Sequence, residues 1–90
     1  MSRYATLDFT TEFMETFSRK DFGPRERNAI LKALELFDSN ERHPSLRVHG
    51  LDGELANQLS FSASDSLRIT FERLGGGRKL LLRCSRHYDK

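Results

Sequence analysis

The sequence predicts an α+β fold in which an N-terminal strand and a two-helix hairpin precede a twisted antiparallel sheet. In the first half apolar residues recur at helical spacing, and in the second half they alternate with polar residues. Clusters of glycine, serine and aspartate separate the alternating segments, as turns do between neighbouring strands. With 90 residues, the chain is expected to form a single domain over residues 1–90.

The first half contains a short strand followed by two helices. Residues 4–9 are a strand candidate, and Thr10 or Thr11 can cap a helix that runs to about Lys20. Pro24 suits the first position of a second helix, because its missing N–H is not needed there. The apolar stripe of this second helix is Ile30, Ala33, Leu34 and Phe37. Two amphipathic helices joined by a short turn need a surface to pack against.

The second half supplies that surface as a set of alternating segments. They are centred on residues 46–49, 59–63, 67–71 and 78–85, and the glycines at 75–77 form the last hairpin loop. Alternation of this kind predicts antiparallel strands with one apolar face covered by the helices. The residues expected on the covered face are Leu46, Val48, Leu59, Phe61, Leu67, Ile69, Phe71, Leu80, Leu82 and Cys84.

The same alternation predicts a polar face on the side of the sheet that the helices leave open. This polar face comprises Arg47, His49, Ser60, Ser62, Arg68, Thr70, Arg83, Ser85 and His87. Leu81 also falls there in this register, either as a contact with a partner or, more simply, as a twisted strand end covered by its own loop. Three arginines and two histidines from distant segments are therefore expected to meet on one surface.

Composition and charge narrow the classes of function. The chain has no apolar run near the roughly 20 residues of a membrane helix and no signal-peptide pattern, so we expect a cytoplasmic protein without membrane contact. Of the last thirteen residues, five are Lys or Arg and one is Asp. This cluster indicates a surface for a polyanion such as nucleic acid, or a basic tail that only aids solubility.

The motifs of metal and cofactor sites are absent from the sequence. A lone cysteine, Cys84, permits neither an internal disulfide nor a cysteine-based zinc site. The three histidines lack metal-ligand spacing, and no glycine-rich phosphate loop precedes a helix. We therefore expect no metal and no cofactor.

The polar face has the residue types that metal-free RNA cleavage requires. That reaction needs a base for the 2′-hydroxyl, an acid for the departing 5′-oxygen and a cation for the charged transition state. His49 and His87 can exchange protons near neutral pH, and Arg68 matches phosphate oxygens. Which histidine is the base and which the acid is open from the sequence. The residues expected to bind substrate are Arg47, Ser62, Arg83, Arg86 and Tyr88.

Four segments together resemble a known toxin family. They are residues 43–53 (His-Pro-Ser-Leu-Arg-Val-His-Gly-Leu-Asp-Gly), 59–62 (Leu-Ser-Phe-Ser), 67–71 (Leu-Arg-Ile-Thr-Phe) and 86–88 (Arg-His-Tyr). In this order they resemble the RelE/ParE superfamily of type II toxin–antitoxin systems, nearest to its RelE, YoeB and YafQ branches. The resemblance implies a microbial-RNase-like endoribonuclease that cleaves mRNA, usually on the ribosome. It also implies a cognate antitoxin, through which DNA would be contacted only indirectly.

The resemblance assigns roles to individual residues. His49 is similar to a histidine that helps in proton transfer, and Arg68 to the arginine that contacts the scissile phosphate. His87 matches the catalytic histidine that family members carry near the C-terminus. Tyr88 is similar to a tyrosine that helps to hold the substrate in the YoeB branch. Asp65 corresponds to a catalytic aspartate in the hairpin loop, or else its neighbour Ser66 does.

Two departures from the family pattern leave other functions open. Many relatives carry a basic residue or histidine at the position of Ser62, and an aromatic residue at that of Leu59. The chain could then be a weakly catalytic remnant that only binds its antitoxin. It could also be a ParE-like inhibitor of a topoisomerase, although such a protein needs no acid–base pair such as His49 and His87.

Overall fold

The structure, a computed structural model, describes residues 4–19, 21–51, 53 and 57–86. Over these residues it contains two α-helices, α1 (Thr11–Phe17) and α2 (Pro24–Ser39), and a five-stranded sheet. The strands are β1 (Leu7–Phe9), β2 (His49–Gly50), β3 (Leu59–Ser62), β4 (Leu67–Arg73) and β5 (Lys79–Arg86). Their order across the sheet is β1-β5-β4-β3-β2. The predicted α+β class and order of elements are confirmed.

The sheet is mixed, because its N-terminal strand pairs with its C-terminal one. β1 runs parallel to β5, with Leu7 beside Lys79, while β2 to β5 form the expected antiparallel meander. Helix α1 then continues along the same edge of β5, where the Cys84 N–H donates to Thr16 Oγ1 at 2.9 Å. The edge of β5 is thus covered by β1 and α1 in succession.

Local capping sets where the helices begin. Thr10 rather than Thr11 caps α1, since its Oγ1 accepts from the Phe13 N–H at 2.9 Å and also donates to Leu82 O at 2.9 Å. At α2, Glu26 accepts from the Gly23 N–H at 3.0 Å. α1 ends at Phe17, three residues before the predicted end, with the Ser18 N–H bonded to Met14 O.

Helix α2 packs on the middle of the sheet. The predicted stripe of Ile30, Ala33, Leu34 and Phe37 is buried, as expected. The Phe37 ring stacks on Phe61 at 4.1 Å between centroids and meets Phe71 edge-on at 4.7 Å. The buried apolar residues of the described chain form one cluster, while the single-domain organisation of residues 1–90 stays a prediction. Neither α1 nor α2 is long and apolar enough to cross a membrane.

A β-bulge in β5 changes which leucines are buried. The pairing of β4 with β5 shifts by one residue at Leu82, so two residues of β5 oppose one of β4 there. Leu81 is fully buried, whereas Leu80 and Leu82 are only half-buried. The prediction that Leu80 and Leu82 face the helices, with Leu81 opposite, is therefore wrong. Beyond the bulge the alternation resumes in the predicted phase, and Cys84 is buried.

The strand predicted around residues 46–49 is shorter than expected. Pro44–Leu46 form a 3₁₀ turn, and Arg47 follows in the left-handed region at φ 50°. Only His49–Gly50 then pair with β3. Leu46 is still buried and Val48 packs partly against the core, so both remain on the covered side without forming a strand.

Candidate active site

Strand pairing assembles most of the polar face in two rows. Residues opposite each other on paired strands point to the same side of a sheet. The first row consists of His49, Ser60, Thr70 and Arg83, and the second of Ser62, Arg68 and Ser85. Arg47 precedes β2 and belongs to neither row. His87 and Tyr88 lie outside the described residues.

His49 is an exposed residue whose ring is oriented by the backbone before it. Its Nδ1 lies 2.8 Å from the carbonyl oxygen of Arg47. A carbonyl can only accept, so Nδ1 carries the proton and Nε2 of the neutral ring keeps a free lone pair. The left-handed conformation of Arg47 places that carbonyl. This is a rarely occupied conformation for a residue with a Cβ, and such conformations concentrate at functional sites.

Arg68 is held by the turn between β3 and β4. Its Nη1 donates to the carbonyl oxygens of Ser64 at 2.8 Å, Asp65 at 3.1 Å and Leu67 at 3.1 Å. Within the described chain, Arg68 pairs with no carboxylate, and its Nε and Nη2 form no hydrogen bond. Three neutral acceptors thus fix the guanidinium while its charge and its other N–H groups stay available to an anion.

His49 and Arg68 sit diagonally across the polar face. His49 is opposite Ser60 on β3, and Arg68 is opposite Ser62, two residues further along β3. Two strand spacings of about 4.8 Å and one two-residue step of about 6.8 Å put their Cα atoms roughly 12 Å apart. The Arg68 guanidinium itself lies at the turn carbonyls of Ser64, Asp65 and Leu67.

Arg83 also lies on the polar face, but a carboxylate from α1 offsets its charge. Its Nε pairs with Glu12 Oε2 at 3.0 Å, and its Nη1 donates to Gln58 Oε1 at 3.3 Å. Glu12 is more exposed than Arg83, at 55% against 32%, so a stronger anion could displace it at little cost.

The structure does not bring Arg86 to the polar face. Arg86 is opposite Leu67, which is buried on the helix-covered side. Its guanidinium pairs with Asp21 at 2.6 Å and Glu26 at 2.8 Å, and lies 4.7 Å from the centroid of Phe22. Hydrogen bonding to Arg86 lowers the pKa of Asp21 below its ordinary value. Arg86 thus joins β5 to the helical hairpin.

Three other predicted residues lie near the turn after β3. Ser62 is only 7% exposed, and its hydroxyl has no hydrogen-bond partner in the described part of the chain. Asp65 and Ser66 are both exposed, and Asp65 forms no ion pair with the described residues. The Asp65 carbonyl does accept from Arg68, which links this turn to the polar face.

No metal site is visible in residues 4–19, 21–51, 53 and 57–86. No three His, Cys, Asp or Glu side chains among them are close enough together to hold an ion. The described side chains of the polar face are imidazole, guanidinium and hydroxyl groups.

Several solved structures with the same architecture are bacterial toxins. A YoeB/ParE toxin from Agrobacterium tumefaciens matches at a TM-score of 0.71 with 18% identity, covering 93% of this chain and 100% of that one. YafQ from E. coli matches at a TM-score of 0.71 with 10% identity, covering 90% of this chain and 91% of that one. The toxin–antitoxin complex RelBE2 from Mycobacterium tuberculosis matches at 0.63 with 24% identity over 91% and 96%. The chain has the RelE/ParE toxin fold.

The resemblance seen in the sequence is thereby confirmed for the fold. No protein-family model matches the sequence, and no curated protein matches it either. At identities of 10–24%, the RelE/ParE fold alone is established, and the roles of individual residues depend on their geometry in this chain.

Sequence reasoning missed two features of the site. The Arg47 carbonyl that orients His49 could not be found, because nothing in a string of residue types reveals a left-handed backbone at arginine. Arg25 and Lys32 of α2, which line a groove beside the polar face, were also missed. Their seven-residue spacing places both on one helix face, and this was the available signal.

Proposed function

We propose that this protein is the toxin of a type II toxin–antitoxin system and acts as a metal-free mRNA endoribonuclease that inhibits translation. The observation that carries the proposal is the pairing of an oriented, exposed imidazole with an unneutralised guanidinium. His49 offers a free Nε2, and Arg68 offers free N–H groups on the same face. The toxin fold supports the same conclusion.

The geometry favours His49 as the base. Its Nε2 accepts the proton of the 2′-hydroxyl, whose oxygen attacks the adjacent phosphorus. Arg68 stabilises the added negative charge of the phosphorane. The bond from phosphorus to the 5′-oxygen then breaks, and His87, assigned from the sequence, donates a proton to that oxygen. The products are a 2′,3′-cyclic phosphate and a free 5′-hydroxyl, and DNA would not be cleaved because it lacks the 2′-hydroxyl.

The proposed partners are mRNA, on the ribosome, and a cognate antitoxin in the cytoplasm. Two of the matched structures are complexes of a toxin with its antitoxin, RelBE2 and DinJ–YafQ. By analogy, an antitoxin of this chain would silence it by covering the polar face or by separating its residues.

A catalytically weak remnant is the second candidate, and two observations favour it. Ser62 stands where many relatives carry a cation, and Arg83 is already paired with Glu12. Both features reduce the positive charge that the polar face presents to RNA. The fold would then serve only to bind an antitoxin.

The proposal is tested by incubating the purified protein with ribosomes and a defined message. His49→Gln and Arg68→Gln are each expected to lower the cleavage rate by about a hundredfold or more, as loss of a proton-transfer or charge-stabilising group does. His43→Asn is the matched control, because His43 is an exposed histidine outside the polar face whose Nδ1 accepts from the Ser45 N–H. Asparagine retains an acceptor there and should leave the rate unchanged.

Other results would contradict the proposal. Inhibition of gyrase supercoiling without RNA cleavage would assign the protein to the topoisomerase-inhibitor class. Cleavage that survives in folded His49→Gln and Arg68→Gln variants would remove the assigned chemistry. Absence of both activities in wild-type protein that still binds an antitoxin would support the remnant.

A further inference from the structure

A groove of about 640 Å³ lies beside the polar face. One wall is α2, and the other consists of residues 45–47 together with residues 62–65 at the end of β3 and the following turn. We name it the α2 groove. Its apolar lining residues are Ala29, Ala33, Leu36, Leu46 and Ala63. The groove volume lies within the range of roughly 300–1,000 Å³ that is typical of ligand sites.

Three exposed cations line this groove and have no carboxylate partner. Arg25, Lys32 and Arg47 form no ion pair within the described residues, and Asp65 is the one acidic residue of the lining. Several other cations are neutralised by carboxylates, namely Arg73, Arg78, Lys79, Arg83 and Arg86. Among the described residues, the other cations without an ion pair are Arg27, Arg42 and Arg68, so the α2 groove brings together three of the six.

A second and independent observation concerns Ser62, which lines the same groove. It is more than nine-tenths buried, and its hydroxyl has no partner in the described chain. A buried hydroxyl without a hydrogen bond is unfavourable, and a ligand that supplied one would relieve that cost.

The α2 groove is physically joined to both catalytic candidates. Ser64 and Asp65, whose carbonyls hold the Arg68 guanidinium, are groove residues. Arg47, whose carbonyl orients His49, also lines the groove. A single RNA strand with its scissile phosphate at Arg68 would therefore pass directly into the groove.

We propose that the α2 groove binds the phosphates of single-stranded RNA flanking the cleavage position, an inference that rests on the proposed function. Arg25, Lys32 and Arg47 contact backbone phosphates, and the apolar lining receives a base or ribose. An acidic segment of a protein partner would also be attracted to the positive charge of these three side chains. The direct connection to Arg68 and His49 favours RNA, because one strand could contact the cleavage site and the groove at the same time.

The experiment measures the affinity for a fluorescent single-stranded RNA of mixed sequence with methylated 2′-hydroxyls, which binds without being cleaved. Arg25→Gln, Lys32→Gln and Arg47→Asn are compared with Arg42→Gln. Arg42 is an exposed cation without an ion pair among the described residues, and it lies outside the groove. Asparagine is chosen at Arg47 because it tolerates the left-handed conformation.

Each groove variant should reduce the slope of log Kd against log salt concentration by about 0.7, the value for one lost phosphate contact with a single strand. The triple groove variant should bind on the order of tenfold more weakly. Arg42→Gln should keep the wild-type slope. Unfolding curves measured on the same samples establish that the variants are folded.

The outcomes separate this inference from the proposed function. Equal effects of the groove variants and Arg42→Gln would overturn the inference even if the unmethylated RNA is cleaved. Loss of RNA affinity specific to the groove variants would support it even if no cleavage occurs. If the groove variants keep RNA affinity and lose affinity for an oligoglutamate peptide, the groove is a protein-docking site and the inference is wrong.

Discussion

Ser62 illustrates how one side chain can carry both a stability cost and a function. The residue is on the last position of β3, opposite Arg68, yet it is almost completely buried. Leaving a buried hydroxyl without a hydrogen bond costs about 1–3 kcal/mol. Replacement by alanine would remove this cost with little change of volume. A ligand that completed the hydrogen bond would offset this cost.

Ser62→Ala is expected to leave the free energy of unfolding unchanged, or to raise it by about 1 kcal/mol, because no native hydrogen bond is lost. Thr10→Ala is the contrasting control, since the Thr10 hydroxyl both caps α1 and donates to Leu82 O. That variant should lose about 1–2 kcal/mol. Urea unfolding of both proteins measures the difference, and comparable losses would show that the Ser62 hydroxyl has a partner in solution.

At the scale of elements, the bulge in β5 decides the composition of the core. It lets Leu81 face the helices before the bulge and Cys84 face them after it, although these two positions are an odd number apart. In a regular strand, residues three apart point to opposite faces. The bulge also presents the Leu82 carbonyl to Thr10, so it helps to anchor the start of α1 on the sheet.

Leu81→Ala is expected to lower the free energy of unfolding by about 2–5 kcal/mol, because it leaves a cavity in the core. Leu80→Ala is the matched control, with the same chemistry at a neighbouring half-buried position, and it should cost well under half as much. Denaturation curves at one pH compare the two. A larger loss for Leu80→Ala would mean that β5 is regular and that the alternation of the sequence is kept.

At the scale of the whole molecule, acidic side chains act as clamps between distant segments. Asp8 pairs with Arg78, Asp21 and Glu26 pair with Arg86, and Glu41 pairs with Arg73. The hydrogen bond from Arg78 lowers the pKa of Asp8, and that from Arg73 lowers the pKa of Glu41. For Glu26 the lowering comes first from the Gly23 N–H and then from Arg86.

These lowered pKa values predict acid sensitivity. A carboxylate whose folded-state pKa is depressed contributes stability that is fully present above its ordinary pKa and is lost as the pH falls through the folded-state value. The ordinary pKa values are 3.8 for Asp21 and 4.5 for Glu26. The urea concentration at the midpoint of unfolding should therefore decrease as the pH is lowered below about 4.5. Arg86→Met keeps an apolar contact with Phe22 and should show a smaller decrease over this range. An identical pH profile for both proteins would mean that the Arg86 clamp is absent in solution.

Much of the architecture followed from the order and spacing of residue types. Helical spacing located α1 and α2, and the stripe that ends at Phe37 was placed correctly. Alternation located β3, β4 and β5 and put Arg68 and His49 on the same side of the sheet. These features are local, because the period of side-chain direction depends only on the backbone conformation of a few neighbouring residues.

Features that depend on several segments at once required the folded structure. The parallel pairing of β1 with β5, the bulge at Leu82, the inward position of Arg86 and the α2 groove each join residues that are far apart in the chain. Each forms because packing brings a strand edge, a carboxylate or a carbonyl close to its partner. The order of residues along the chain does not contain these distances. His49 required the structure for a local reason. Its residue type suggested proton transfer, but the nitrogen that is free to accept the proton is selected by the Arg47 carbonyl, and residue types do not reveal the left-handed backbone at Arg47.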